Sequence, residues 1–178
     1  MRFEIHDRGH TRWVAAFTSA LNKAKFRFEW TNSLQKADVN YILLMDDKRT
    51  WWHDCYQEVI ELLTPYKPLC IGASMGGYGA LMFAEEMGCE ARAFGPQTLI
   101  SEDGMASIGD PRWADFLPKA REAATRGVDL SMSGDQYHIH YCSRFDLDAK
   151  HAERLDVRLI PLDCDVHAAA RVARFNFE

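Results

Sequence analysis

Residues 69–81 read Leu-Cys-Ile-Gly-Ala-Ser-Met-Gly-Gly-Tyr-Gly-Ala-Leu, in which a strand pattern, a glycine-rich turn and a helix pattern follow one another. The apolar run at 69–71 predicts a buried strand, and the residues from Ala80 onward predict a helix. Between them, residues 72–76 fit the Gly-x-Ser-x-Gly pattern of a strained strand-to-helix turn. Such a turn projects the Ser74 hydroxyl above the sheet, because glycines on either side let neighbouring backbones pass without Cβ clashes.

The run that begins at Ser74, Ser-Met-Gly-Gly-Tyr-Gly-Ala-Leu, resembles the nucleophile elbow of α/β-hydrolase esterases, in particular the small esterases whose elbows read Ser-Met-Gly-Gly. In that superfamily the serine is the nucleophile, and the acid and the histidine follow it in the order Ser, Asp or Glu, His. The resemblance therefore implies a serine hydrolase that cleaves a carboxylic ester or thioester through an acyl-enzyme on Ser74.

The remainder of the chain alternates strand and helix patterns. Apolar runs or alternating residues predict strands at 2–7, 39–45, 69–71, 91–94, 137–142 and 157–162. Helical spacing predicts helices at 11–25, 50–63, 80–87, 118–126, 149–155 and 168–175, with a polar loop at 32–36. This alternation predicts an α/β fold, a mostly parallel sheet with helices on both faces, in the form of a minimal α/β-hydrolase-like three-layer sandwich.

Length and composition favour a single globular domain over residues 1–178. The chain has 178 residues, of which 47% are hydrophobic and 26% are charged. One connection, residues 97–134, is unusually long for a plain loop, and we expect it to carry a small lid.

Charge and segment patterns exclude several classes of partner. The formal net charge of -5 provides no basic patch for nucleic acid. No apolar run approaches the length that spans a bilayer, and no signal-peptide pattern is present, so a cytoplasmic protein without a membrane partner is expected. The five cysteines lack any Cys-x-x-Cys spacing and are expected to be reduced core residues.

The base and the acid are expected in two loops after the elbow. His167 follows the last predicted strand, where the resemblance places the catalytic histidine. The acid is expected after the strand at 137–142, where Asp146 and Asp148 both qualify. Asp148 directly precedes the predicted helix at 149–155 and suits its N-cap, so Asp146 is the favoured acid and Asp148 the alternate.

The oxyanion hole needs two N–H donors. The Met75 N–H, at the start of the elbow helix, is the first. Matching the predicted elements to the order of the superfamily makes the strand at 2–7 the source of the second donor, near Gly9. Residues 47–52 compete for this role, and their two tryptophans line either the pocket or the core.

A histidine pair at His138 and His140 has the spacing of a metal site on one strand face. The alternation of Tyr137, Ile139 and Tyr141 on the opposite face explains the pair without a metal. The chain also lacks a phosphate-binding Gly-x-x-x-x-Gly-Lys motif and a dinucleotide fingerprint. We therefore expect no metal and no cofactor.

The leading functional hypothesis is a serine esterase acting on a small-molecule acyl ester. An acyltransferase would use the same residues, with an alcohol or amine in place of water. A catalytically silent binding module with this fold is a third hypothesis, because Arg8-Gly9-His10 departs from the His-Gly-Gly-type oxyanion loop common in the superfamily.

Overall fold

A computed structural model describes residues 1–20, 27–167 and 169–173. Over these residues the strands are β1 Arg2–His6, β2 Trp13–Phe17, β3 Asn40–Met45, β4 Leu69–Ala73, β5 Ala91–Phe94, β6 Ser133–Cys142 and β7 Asp156–Leu162. They form one sheet in the order β1-β3-β2-β4-β5-β6-β7. Only β1 runs antiparallel to its neighbour, so the carboxyl ends of the other six strands meet at one edge.

The helices cover both faces of this sheet. Those in the described residues are α1 Thr31–Leu34, α2 Tyr56–Leu63, α3 Met75–Met87, α4 Glu102–Ile108, α5 Leu117–Ala123, α6 Asp146–Glu153 and α7 Ala169–Val172. In β2, Ala15 and Phe17 face the large core that includes α2 and α3, whereas Val14 and Ala16 face a smaller core closed by α1. The predicted mostly parallel sheet with helices on both faces is confirmed.

The helix predicted at 11–25 is wrong where the structure describes it. Residues Trp13–Phe17 form β2, which pairs with β3 on one side and β4 on the other. A short continuous apolar run fits a buried helix segment and a strand buried on both faces equally well, so only the pairing decides. The part of that prediction at 21–25 lies outside the described residues.

Other element boundaries shift by smaller amounts. The predicted loop at 32–36 contains most of α1, and the predicted helix at 50–63 is a 3-10 turn at His53–Cys55 followed by α2. The long connection after β5 contains α4 and α5. Within the described residues, no helix is both long and apolar enough to cross a membrane.

Two buried histidines are held neutral by the fold. The ring of His53 is 4% exposed, and its Nε2 lies 2.9 Å from the Tyr78 hydroxyl. Burial, with the nearby Arg126, lowers the pKa of His53 to about 4. Burial, His138 and Arg92 together lower the pKa of His140 to about 4.

We expect the free energy of unfolding to fall as the pH drops from 6.5 toward 4, because the unfolded chain binds protons that folded His53 and His140 do not. Replacing His53→Gln should remove its share, on the order of 2 kcal/mol across that range. Denaturant unfolding at pH 7.5 and pH ~4.5 measures the difference. An equal loss in the native and variant chains would contradict it.

Candidate active site

Ser74 occupies a strained turn between β4 and α3. Its backbone has φ 54° and ψ -122°, a conformation that L-residues rarely adopt, and its N–H donates to the Phe94 carbonyl at 2.9 Å. The side chain is 6% exposed and lies at the carboxyl edge of the sheet. The strand, turn and helix predicted around Ser74 are therefore present.

Glycines at 72 and 76 make this turn possible. A Cβ on Gly76 would collide with the carbonyl oxygen of Phe17 at the end of β2, and a Cβ on Gly72 would collide with the Gly76 carbonyl. The first turn of α3 is thus wedged between the ends of β2 and β4. Met75 begins this helix, so its N–H has no partner within the helix and lies beside Ser74.

The structure pairs His167 with Asp148. His167 lies in the loop between β7 and α7, and its Nδ1 is 2.7 Å from Oδ1 of Asp148, whose side chain is 1% exposed. Because a carboxylate only accepts hydrogen bonds, Nδ1 carries the proton and Nε2 presents its lone pair.

Asp146, the favoured acid in the sequence, does not contact His167. Its carboxylate is solvent-exposed and bonds Lys150 at 2.7 Å. Helix α6 begins at Asp146, three residues earlier than predicted, so Asp148 lies inside the first turn and is not the N-cap. The capping argument that favoured Asp146 over the alternate Asp148 therefore depended on a misplaced helix boundary.

Gln97 lies between Ser74 and His167. The Ser74 hydroxyl donates to Gln97 Oε1 at 3.2 Å, and Gln97 Nε2 is 3.4 Å from Nε2 of His167. No direct hydrogen bond joins Ser74 to His167 among the described contacts, so the amide bridges them. No sequence motif marks Gln97; the one signal is its position just after β5, at the edge where the carboxyl ends of the strands meet.

Gly9 lies at the wrong end of the sheet to serve Ser74. It belongs to the loop that enters β2, whereas Ser74 follows the carboxyl end of the parallel strand β4, about 15 Å away along the strand direction. The loop beside the Ser74 turn is the one that follows β2. That strand was predicted as part of the helix at 11–25.

Ser19, and not Gly9, lies in the loop after β2. It follows β2 and lines the same cleft as Ser74. Its N–H donates to Glu29 Oε2 at 3.0 Å, and its hydroxyl donates to Glu29 Oε1 at 2.6 Å. The Glu29 carboxylate therefore occupies the backbone donor of Ser19 in this cleft.

The competing residues 47–52 do not line this cleft. Trp51 and Trp52 are fully buried, and the Trp52 indole packs against Gly79 while donating to the Met75 carbonyl at 3.1 Å. Both tryptophans belong to the core, and Trp52 packs against α3.

The cleft above Ser74 has a volume of about 580 Å³. Its walls combine polar side chains with an aromatic and small-residue surface: Ser19, Glu29, Trp30, Ser33, Ala73, Ser74, Phe94, His167, Ala169, Ala170 and Arg171. Within the described part of the chain, no group of three or more His, Cys, Asp or Glu residues has the geometry to hold a metal.

A disulfide joins the end of β6, which leads to Asp148, to the loop that contains His167. Cys142 ends β6 and is bonded to Cys164, with the Cα atoms 4.9 Å apart. The Arg144 N–H also donates to the Cys164 carbonyl at 3.1 Å. The prediction that all five cysteines are reduced is wrong for this pair, whereas Cys55, Cys70 and Cys89 are free and buried.

Comparisons of sequence find no match: no known protein-family model and no curated protein is similar to this chain. Comparisons of structure do find matches. The capsule O-acetyltransferase of Neisseria meningitidis serogroup A, solved in complex with CoA, is 14% identical, with a TM-score of 0.59 over 96% of this chain and 87% of that one.

Two further solved structures have the same fold. An α/β hydrolase from the metagenome of sediments from the lagoon of Mar Chica, Morocco, is 13% identical, with a TM-score of 0.56 over 97% of this chain and 89% of that one. A type II thioesterase of the yersiniabactin biosynthetic pathway is 17% identical, with a TM-score of 0.52 over 92% and 90%. The chain thus has an α/β-hydrolase-type fold, which hydrolases and acyltransferases share.

Gly95 lies close to both Asp148 and His167. It has φ +55°, and a Cβ there would lie 2.9 Å from Asp148 Oδ2 and 3.3 Å from His167 Cε1. We expect Gly95→Ala to lower reactivity at Ser74 by about tenfold or more, because it displaces the pair. Gly88→Ala is the control, since Gly88 has φ +64° with no atom within 4 Å. Both variants should lose about 1 kcal/mol of stability, and only the first should lose reactivity with an active-site probe.

Removing the disulfide should weaken both fold and site. For a sequence separation of 22 residues, we expect the double variant Cys142→Ser, Cys164→Ser to lose about 3 kcal/mol in denaturant unfolding and to react more slowly with a serine-directed probe. Cys89→Ser, at a free cysteine, is the control. In denatured native protein, alkylation should modify three cysteines before reduction and five after it. Five before reduction would contradict the pairing.

Proposed function

We propose that this chain is a serine hydrolase that cleaves a carboxylic ester or thioester through an acyl-enzyme on Ser74. The observation that carries the proposal is the position of His167, held by Asp148 at 2.7 Å, in the same cleft as a serine on a strained strand-to-helix turn. These are the parts that nucleophilic acyl chemistry requires: a nucleophile, a base, and a carboxylate that orients the base.

Asp148 sets the tautomer of the base. Because it accepts the Nδ1 proton of His167, the Nε2 lone pair is available to take the proton of Ser74 as the hydroxyl attacks the acyl carbon. The imidazolium formed in that step returns the proton to the departing alcohol or thiol. Water, activated by the same Nε2 atom, then attacks the acyl-serine and releases the acid.

Gln97 holds the nucleophile in a resting position. In the resting geometry the Ser74 proton points to the amide oxygen and the Nε2 lone pair faces the amide nitrogen. Attack requires the serine proton to face His167 directly, so the bond from Ser74 to Gln97 has to break before the reaction. Gln97 is the first residue of the connection at 97–134, but the cleft walls named above come from other parts of the described chain, so the lid stays a prediction.

The tetrahedral oxyanion is stabilised by two backbone donors. The Met75 N–H is the first, and the Ser19 N–H is the second, once its bond to Glu29 has been exchanged for the substrate oxygen. A single donor of this kind contributes on the order of 3 kcal/mol to lowering the barrier. Gly9 has no part in this arrangement, and Asp146 is replaced by Asp148 as the acid.

Labelling with a fluorophosphonate tests the nucleophile, because the probe reacts with a serine that a base and an oxyanion hole activate. Intact-mass measurement should find one adduct on the native chain and none on Ser74→Ala. Ser33→Ala, a replacement of another serine that lines the cleft, is the matched control and should label as the native chain does. An adduct on Ser74→Ala would refute the assignment.

Absence of labelling on folded native protein would instead favour the silent binding module. If labelling succeeds, turnover of aryl esters of increasing acyl length and of acetyl-CoA defines the acyl group. Repeating those assays with an added alcohol separates hydrolysis from transfer, since transfer yields a new ester.

A further inference from the structure

Behind the pair of Asp148 and His167 lies a second buried cluster that the proposed reaction does not use. It consists of Asp110, Arg112 and His151, and the side chains of Asp110 and His151 are completely buried. Arg112 connects the two clusters, because it bonds both Asp110 and Asp148. We call these three residues the second cluster.

His151 is neutral in this cluster. Its Nδ1 accepts the N–H groups of Thr98 at 3.1 Å and Leu99 at 3.3 Å, so the proton lies on Nε2, which donates to Asp110 at 3.0 Å. Burial lowers the pKa of His151, and the bond to Asp110 only partly opposes this effect. The second cluster therefore contains one negative charge, on Asp110, and one positive charge, on Arg112.

Asp110 is ionised although it is buried. Burial raises its pKa, but the hydrogen bonds from His151 and Arg112 outweigh burial and hold the pKa well below the ordinary value. Arg112 donates to this carboxylate through Nε, which is 2.9 Å from both oxygens, and through Nη2, which is 2.6 Å from Oδ2. These bonds fix the orientation of the guanidinium.

The other end of Arg112 touches the acid and the base. Its Nη1 lies 3.3 Å from Asp148 Oδ1 and 3.4 Å from His167 Nδ1. Because Nδ1 carries the proton donated to Asp148, the second contact is not a hydrogen bond. It brings a fixed positive charge next to the ring that becomes an imidazolium during catalysis.

The net charge around His167 depends on whether Asp110 is present. Without Asp110, the guanidinium would cancel the charge of Asp148, and protonating His167 would leave a net positive charge in a buried site. With Asp110 present, Asp110, Asp148 and Arg112 sum to one negative charge when His167 is neutral and to zero when it is protonated. The full charge of Asp148 thus remains available to the base.

We propose that Asp110 is a positioning residue that compensates the charge of Arg112, so that Asp148 can stabilise the imidazolium of His167 in the transition state. The inference rests on the function proposed above. It assigns a role to a carboxylate that does not touch substrate, Ser74 or His167. It also explains why Arg112 can contact Asp148 without cancelling the effect of that carboxylate on His167.

The charged and titratable groups that face His167 come from several elements. Asp148 lies on α6, and Asp110, Arg112 and His151 form the second cluster. Glu29 and Arg171 line the same cleft as His167. Glu29 and Arg171 are kept unchanged in the test, so that their contribution is constant.

Four chains test the proposal: native, Asp110→Asn, Arg112→Met and the double variant. The first readout is the pH dependence of the fluorophosphonate labelling rate, and the second is the titration midpoint of the His167 ring resonance by NMR. We expect Asp110→Asn to move both midpoints down by on the order of one pH unit and to slow labelling at neutral pH about tenfold. Arg112→Met should move both midpoints up, and the double variant should return toward native.

Opposite shifts are the signature of charge compensation. A merely structural role would loosen Asp148 in either single variant and move both midpoints in the same direction, which would overturn the proposal. A double variant no closer to native than Asp110→Asn would also overturn it. If Asp110→Asn does not fold, the direction for Arg112→Met decides alone, because loss of a structural contact to Asp148 predicts a downward shift.

Failure of the proposed function has a different outcome from failure of this inference. If Ser74 is not a nucleophile, no chain is labelled, yet the NMR midpoint still reports whether Asp110 and Arg112 act on His167 in opposite directions.

Discussion

The close approach of Gly76 to the backbone of Phe17 is the contact on which the site depends. No side chain fits there, so the first turn of α3 can press against the end of β2 while its serine is held in a strained conformation. Strain of this kind persists only where the surroundings over-determine it. Here the buried Trp52 beneath α3 and the bond from the Ser74 N–H to Phe94 provide that support.

The rest of the site is brought to the elbow by loops. His167 and Asp148 lie on separate connections, and the disulfide between Cys142 and Cys164 joins those connections near their roots. Gln97 and Arg112 come from a third connection, the long one after β5. The sheet therefore fixes Ser74, whereas His167 and Asp148 depend on contacts between connections that are remote in sequence from Ser74.

Much of the fold could be predicted from the sequence because its signals are local. The elbow, β3 to β7 and the alternation with helices follow from runs and spacings within a few residues. The misassignment of β2 arose because five apolar residues, Trp13–Phe17, suit a helix and a doubly covered strand alike, and that error also moved the expected oxyanion donor to Gly9. The choice between Asp146 and Asp148 depended on a helix boundary that shifted by three residues. The disulfide, Gln97 and the second cluster are long-range contacts, which one sequence does not encode in any short pattern.

The strand order has a consequence for how the chain folds. β2 lies between β3 and β4, both of which follow it in the chain, and β4 is more than fifty residues away. β2 cannot be paired along both edges until β4 has been added to the sheet. Parallel pairing between segments so far apart in the chain forms slowly. During that interval, Trp13–Phe17 is an apolar strand with an open edge, the kind of segment that associates with other chains. Refolding yield should therefore fall as protein concentration rises. The residues that form the centre of the finished sheet are the ones that promote aggregation before the sheet is complete.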